Sequence, residues 1–312
     1  MAVLHMNAGD YERAFAQFDQ AISLNPENPF FYFSRGQARM KNVEFGRAIE
    51  DFDKAIELRP TFSIAFFMRG QVYTMMNNYS RGIEDLDEAI KLLPNNAAAY
   101  IIRGSAYAAM RDYQRSIEDI DQGIKLDPTC AVGFAYRGVS FDLKGEHDRA
   151  VADYTRAIEL APTPTSADGF NWRAKIYSRQ HNYERAIQDL TRAIELEPKN
   201  TRRLNDRCYT RAQAGAFDRA LEDCNEALRA HPGDSRIQDS RGFTYLRMGG
   251  LDDAITDFDA ALRANPKTAI SLYGRGVAKR MKGDAAGSDA DIALARAIKP
   301  NVADEMALVG VK

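Results

Sequence analysis

A 34-residue spacing limits what this chain can fold into more than any other feature. It is clearest in Ala131–Pro164, which carries Phe134, Arg137-Gly138, Phe141, Gly145, Ala150, Tyr154, Ala157, Leu160 and Pro162. With Ala131 as position 1, the aromatic falls at 4, Arg-Gly at 7 and 8, and proline at 32. Positions 4, 7, 8 and 11 share one face of a first helix, helix A, and 20, 23, 24 and 27 share one face of a second, helix B. Gly145 lies between them, where a helix end tolerates a left-handed residue, and Pro162 closes the second helix. Small residues at 8 and 20 let the two backbones approach closely. The spacing predicts a helical hairpin.

The pattern resembles the tetratricopeptide repeat, with an aromatic at 4, glycine at 8, an aromatic at 11, alanine at 20 and 27, an aromatic at 24 and proline at 32. It departs at position 7, where arginine replaces the family's leucine. The resemblance covers nearly the whole chain. It implies an all-α fold, an open right-handed superhelix of stacked hairpins, and a habit of binding peptides or proteins. It does not name the partner.

Repetition overrides the length of 312 residues, which would otherwise suggest two domains. In a solenoid each hairpin buries its apolar face on its neighbours, so a single unit would be unstable alone. Residues 1–28 form an incomplete first unit, with a whole helix B over Tyr11–Leu24. Residues 29–164 hold four full units, starting at Pro29, Ser63, Ala97 and Ala131. After Pro162 the register slips by two through Thr163-Pro164-Thr165-Ser166. Four more units start at Ala167, Thr201, Ser235 and Ala269, so that residues 165–300 form the second half of one continuous solenoid. The slip is either a longer loop under continuous stacking or a change of pitch. Residues 301–312 form a capping segment, in which Val302–Leu308 makes a short helix ending near Gly310.

Every full unit carries arginine at 7 and aspartate at 23. The pairs are Arg35 and Asp51, Arg69 and Asp85, Arg103 and Asp119, Arg137 and Asp153, Arg173 and Asp189, Arg207 and Asp223, Arg241 and Asp257, and Arg275 and Asp291. Both positions are nearly equidistant from the hairpin turn. An arginine among packing residues needs a charge partner, and a guanidinium–carboxylate fork supplies one. These sixteen residues are expected to form a structural ion-pair ladder. Arginine at 19 in most units leaves open whether the aspartate is shared, and it could also reach the next unit.

Function is expected on the opposite face of helix A, at positions 2, 5, 9 and 12 with 13 at its edge; the family resemblance makes this face the lining of the concave groove. A solvated helix face should be polar. In the first four full units it carries Phe30, Phe33, Met40, Ile64, Phe67, Met75, Ile101, Val132 and Val139. Such a face suits a partner, an oligomer contact, or burial of the side chains against one another. In the last four it carries Lys175, Arg179, Arg202, Tyr209, Arg236, Phe243, Arg247, Tyr273 and Arg280. A basic face with interleaved aromatics suits an acidic peptide segment and, less well, single-stranded nucleic acid; the alternative is a solvated face with surplus arginine.

Two specialisations of the family are not supported. Asn171, Lys175, Asp206, Arg236 and Ser240 do not match the carboxylate clamp of its chaperone-binding members, and only Asn171 and Asn205 stand where an asparagine ladder would run. The four histidines, His5, His147, His181 and His231, share no ligand spacing with cysteine or carboxylate. No phosphate-cradling glycine loop follows a strand. The chain is therefore expected to be no enzyme and to need no cofactor or metal. A net charge of −2 argues against a dedicated nucleic-acid surface. Cys208 and Cys224, at positions 8 and 24 of one unit, are expected to be small buried thiols. With no disulfide framework, signal peptide or membrane span, a reducing cytoplasm is the default. What emerges is a non-enzymatic scaffold that holds a peptide or protein segment in its groove. The alternative is a module for self-association through the incomplete first unit.

Overall fold

The computed structural model describes residues 2–161 and 165–311, which contain nineteen helices and no strand. They form two compact units, the first running to Leu160 and the second from Ala161. The first holds α1 (Ala2–Asn7), α2 (Tyr11–Leu24), α3 (Pro29–Lys41), α4 (Phe45–Leu58), α5 (Ser63–Met75), α6 (Tyr79–Leu92), α7 (Ala97–Ala109), α8 (Tyr113–Leu126), α9 (Ala131–Lys144) and α10 (His147–Leu160). The second holds α11 (Thr165–Arg179), α12 (Tyr183–Leu196), α13 (Thr201–Gln213), α14 (Phe217–Ala230), α15 (Ser235–Met248), α16 (Leu251–Ala264), α17 (Ala269–Met281), α18 (Ala285–Ile298) and α19 (Val302–Leu308). Up to α18, each odd-numbered helix packs chiefly on the even-numbered one after it, and inside each unit each even-numbered helix packs on the next odd one. The architecture is all-α, built of stacked antiparallel hairpins. Of the two-residue slip, Thr163 and Pro164 lie outside the described residues; α11 opens at Thr165, two residues before Ala167.

Every turn from helix A to helix B places its position-15 residue in the left-handed region, and the next amide reaches back to the carbonyl at position 11. This is the 6→1 bond of a Schellman end. Glycine supplies that residue at Gly9, Gly145, Gly215, Gly249 and Gly283, but Val43, Asn77, Arg111 and His181 do so elsewhere. Val43, at φ 62°, carries the steric cost of a β-branched side chain there.

Inside the hairpins position 8 meets position 24. A Cβ on Gly138 would lie 2.7 Å from the Tyr154 ring, so the missing side chain is what lets the aromatic ring against helix A. The same geometry corrects the expectation of free thiols. Cys208 and Cys224 occupy these two facing positions, with Cα atoms 5.5 Å apart, and are joined in a disulfide. Only the spacing of sixteen residues, the same as in the Arg–Asp pairs, signalled this contact. The disulfide also removes one of the three grounds for a reducing compartment. Cys130 is a free thiol.

Candidate functional site

The arginine row is a two-sided ladder. Arg103 donates from Nε and Nη2 to Asp119 at 2.7 and 2.6 Å, and from Nη1 to Asp87 at 2.6 Å. Arg137 repeats this with Asp153, at 2.8 and 2.7 Å, and Asp121, at 2.7 Å. The fork to position 23 of the same hairpin recurs in Arg35–Asp51, Arg69–Asp85, Arg173–Asp189, Arg207–Asp223, Arg241–Asp257 and Arg275–Asp291. The third bond goes to position 25 of the preceding hairpin: Asp19, Asp53, Thr191, Asn225 and Asp259 serve Arg35, Arg69, Arg207, Arg241 and Arg275. Burial opposes the charge on Arg103, but its bonds to Asp119 and Asp87 outweigh it and hold the guanidinium pKa above its ordinary value.

Sequence reasoning missed position 25. The signal was present, since five of these seven partners are aspartates at a fixed offset. Position 19 turns elsewhere: Arg47, Arg115 and Arg149 pair with Glu44, Asp112 and Glu146 at the start of their own helices. Where the aspartate is shared, the second cation comes from position 11, as Arg39 on Asp51, Arg211 on Asp223 and Lys279 on Asp291. The ladder arginines are thus engaged by partners within the repeats.

On the opposite face of helix A the first unit exposes apolar side chains. At position 2, Phe30, Ile64 and Val132 are 51%, 44% and 43% exposed, and at the edge of the face Met75 and Leu143 are 52% and 54% exposed. Met40, Phe67 and Val139 are half-buried. Two expected groove residues are instead core. The Phe33 ring packs 5.9 Å from Phe52 and 5.1 Å from Phe62, on the loop into the next hairpin. Ile101 fills a notch that Gly123 and Gly133 leave open; a Cβ on either would come within 2.6 and 3.2 Å of it. Phe62 also takes the edge of Phe30 at 5.0 Å, and the Arg59 guanidinium covers both rings.

The second unit departs further from expectation. Phe243 and Tyr273 are buried, and Tyr209 packs on Phe243 at 4.9 Å. They join one apolar cluster with Val302, Met306 and Val311, so the C-terminal segment is part of the reason they are covered. Arg236 turns to Asp234 at 2.6 Å, Arg280 to Asp289 at 2.7 Å, and Arg247 to the carbonyl of Val309 at 2.6 Å. Lys175, Arg179 and Arg202 are exposed. The face is not uniformly basic, because Asp206 and Asp239 lie in it. Asp206 is 3.9 Å from Lys175, and burial pushes its carboxyl up. Burial also pushes Asp239 up to about 6, although Ser271 donates to it at 2.6 Å. A cavity of about 640 Å³ is lined by Lys175, Arg179, Asp206 and Tyr209 on one side and Met306, Leu308 and Val309 on the other.

Among the described residues, no group of three or more His, Cys, Asp or Glu is placed to hold a metal ion. No described helix is long and apolar enough to cross a membrane.

Hairpins of this length, stacked helix B on helix A around small residues at 8, 20 and 27, define a class of helical-repeat protein. Family models described as tetratricopeptide repeat match residues 1–61, 67–129, 103–166 and 241–303, and a second of that description matches 167–200. The chain belongs to the tetratricopeptide repeat family. No curated protein sequence matches it. Among solved structures it is similar to a tetratricopeptide repeat protein from Parabacteroides merdae, at 18% identity and TM-score 0.64, over 79% of this chain and 98% of that one. It is also similar to a chain of the APC/C hetero-tetramer Cut9-Hcn1, at 15% identity and TM-score 0.63, over 96% of this chain and 59% of that one. A third is YrrB, a TPR protein with an unusual peptide-binding site, at 20% identity and TM-score 0.51, over 61% of this chain and 97% of that one. At these identities the likeness is one of fold.

Proposed function

We propose that the chain is a protein-interaction scaffold whose first unit holds a peptide or protein segment along the exposed face of α3, α5, α7 and α9. One observation carries this reading: Phe30, Ile64 and Val132 occupy the same repeat position and stay about half exposed, where a solvated helix face would be polar. Phe67, at position 5 of the same face, is half-buried and adds apolar surface to it. The uses named for two structural neighbours, a peptide-binding site in YrrB and a hetero-tetramer for Cut9-Hcn1, are of the same kind.

The ligand class that fits is an extended or helical segment with apolar anchors. Phe67 is its expected hot spot, with truncation costing about 2 kcal/mol or more of binding and little stability. Phe33→Ala is the contrasting control, costing about 3–5 kcal/mol of stability because the ring is core. The test is selection of binders from a random-peptide display library on the intact chain. Peptides with spaced apolar residues should emerge, and Ile64→Asp with Val132→Asp should weaken them at least tenfold, with the melting temperature within a few degrees of the parent. Peptides that bind this variant as well as the parent would place the binding surface elsewhere. A mass that doubles with concentration in the parent and not in the variant would assign the strip to self-association.

A further inference from the structure

The C-terminal segment does not continue the stack. Between hairpins, a helix A packs more on the helix B before it than on the preceding helix A, as α9 does on α8 and α17 on α16. Helix α19 instead touches α17 more than α18, and its Val302 and Met306 join the cluster of Phe243 and Tyr273, which places it over the groove-side face of α15 and α17. From there it reaches α15, two helices A away from its start. The guanidinium of Arg247 donates from Nη1 to the carbonyl of Val309 at 2.6 Å. That guanidinium lies 5.7 Å from the Phe217 ring centroid and 5.9 Å from that of Phe243, so two aromatic rings flank it.

The segment is shaped as a ligand for this seat. Val302 and Met306 are one helical turn apart and buried, at 0% and 2% exposure. The chain then turns at Gly310, with φ +83°, and the Val311 amide bonds back to the carbonyl of Met306 at 2.9 Å. This Schellman end folds Val311 under the helix as a third buried anchor. A side chain at Gly310 would meet the Arg247 guanidinium carbon at 3.1 Å, so arginine and turn fit closely. On its other side the segment is hardly packed. Leu308 is 71% exposed and borders the cavity of about 640 Å³ that separates it from α11 and α13.

We infer that the face of α15 and α17 around Arg247, Phe243 and Tyr273 is a binding site for a short amphipathic helix ending in a Schellman turn, and that residues 302–311 occupy it as an intrachain ligand. Three apolar anchors and one carbonyl hold the segment, and a cavity rather than core stands behind it. A competing segment of the same chemistry, with aliphatic residues at i, i+4 and i+9 and glycine at i+8, would displace it. This site lies wholly within the second unit and does not depend on the reading of the first.

The test uses the full chain and a fluorescein-labelled peptide of residues 300–312 as probe, read by fluorescence anisotropy. Val302→Asp with Met306→Asp should expel the resident segment, and this variant should bind the probe at least tenfold more tightly than the parent. Adding Arg247→Ala should remove most of that gain. A folded double variant that does not take up the probe, or a parent that binds it equally well, overturns the inference and makes α19 a plain end cap. Should the variant lose its helical circular dichroism, hydrogen exchange on the parent decides. Amides of α19 exchanging at least tenfold faster than those of α15 and α17 support a displaceable ligand, and exchange only with those helices refutes it.

Discussion

Arg103→Ala removes three charge-assisted hydrogen bonds at once, two to Asp119 and one to Asp87. The two carboxylates differ in what they lose. The Asp119 side chain is 13% exposed, so without its fork it keeps most of a desolvation cost with little water to offset it. Stranding a fully buried partner costs about 3–5 kcal/mol, and an exposed pair contributes roughly 0–1 kcal/mol. With Arg103 itself 18% exposed, about 2–3 kcal/mol is expected, part of it from the lost packing of the aliphatic stem. Asp87 is 52% exposed, so Asp87→Ala should cost about 0.5 kcal/mol or less. Urea unfolding of the single and double variants, followed by far-ultraviolet circular dichroism, separates the two arms. Coupling of Arg103 to Asp119 should exceed about 1 kcal/mol, and coupling to Asp87 should stay below about 0.5 kcal/mol. Coupling to Asp119 indistinguishable from zero, or smaller than that to Asp87, would refute burial as what makes the fork matter.

Val43→Gly should raise stability by about 1 kcal/mol, because glycine takes the φ of 62° without the β-branched clash; an unchanged or lower urea midpoint counts against this. The disulfide should leave one alkylatable thiol, Cys130, in the denatured unreduced chain and three after reduction, as mass spectrometry reads directly. Closing a loop of this length stabilises by up to about 3 kcal/mol, so reduction should lower the melting temperature, and no change would mean the bridge adds nothing. Asp239 has its carboxyl raised to about 6, so the folded state binds a proton there more tightly than the unfolded chain does. Its contribution is fully present below the ordinary carboxylate pKa and is lost as pH rises through about 6, on the order of 3 kcal/mol. Asp239→Asn should flatten the decline in stability between about pH 4 and 6, and an unaltered slope would assign it to other groups.

The hairpins were legible because their signal is periodic. Alanines at 20 and 27, an aromatic at 4 and proline at 32 recur in register, and each has a local reason to be there. The fork from position 7 to 23 was legible for the same reason, as two charges that never occur apart. Legibility fails where a side chain's surroundings are set by a neighbour outside its own hairpin. Phe33 and Ile101 stand at a position that helical periodicity turns outward, yet Phe62 on a loop and Gly123 and Gly133 on other helices enclose them. Phe243 and Tyr273 read as a free aromatic surface, because nothing in a capping helix says that it folds back over α17. Cys208 and Cys224 were legible as facing one another, but composition argued against a bridge that geometry allows.

Apart from Arg173, which follows the two-residue slip, each ladder arginine stands sixteen residues from its partner in the helix before it and sixteen from its partner in the helix after it. The bonding groups are therefore interchangeable between hairpins: any position-25 carboxylate can serve any position-7 guanidinium. Removing the whole stretch 97–130 would bring Asp87 against Arg137 with the same chemistry that Asp121 offers it now. Array length is thus a free variable in this design. A hairpin can be duplicated or dropped inside a unit without orphaning a charge, so a gene that slips by one full repeat still encodes a chain whose ion pairs close.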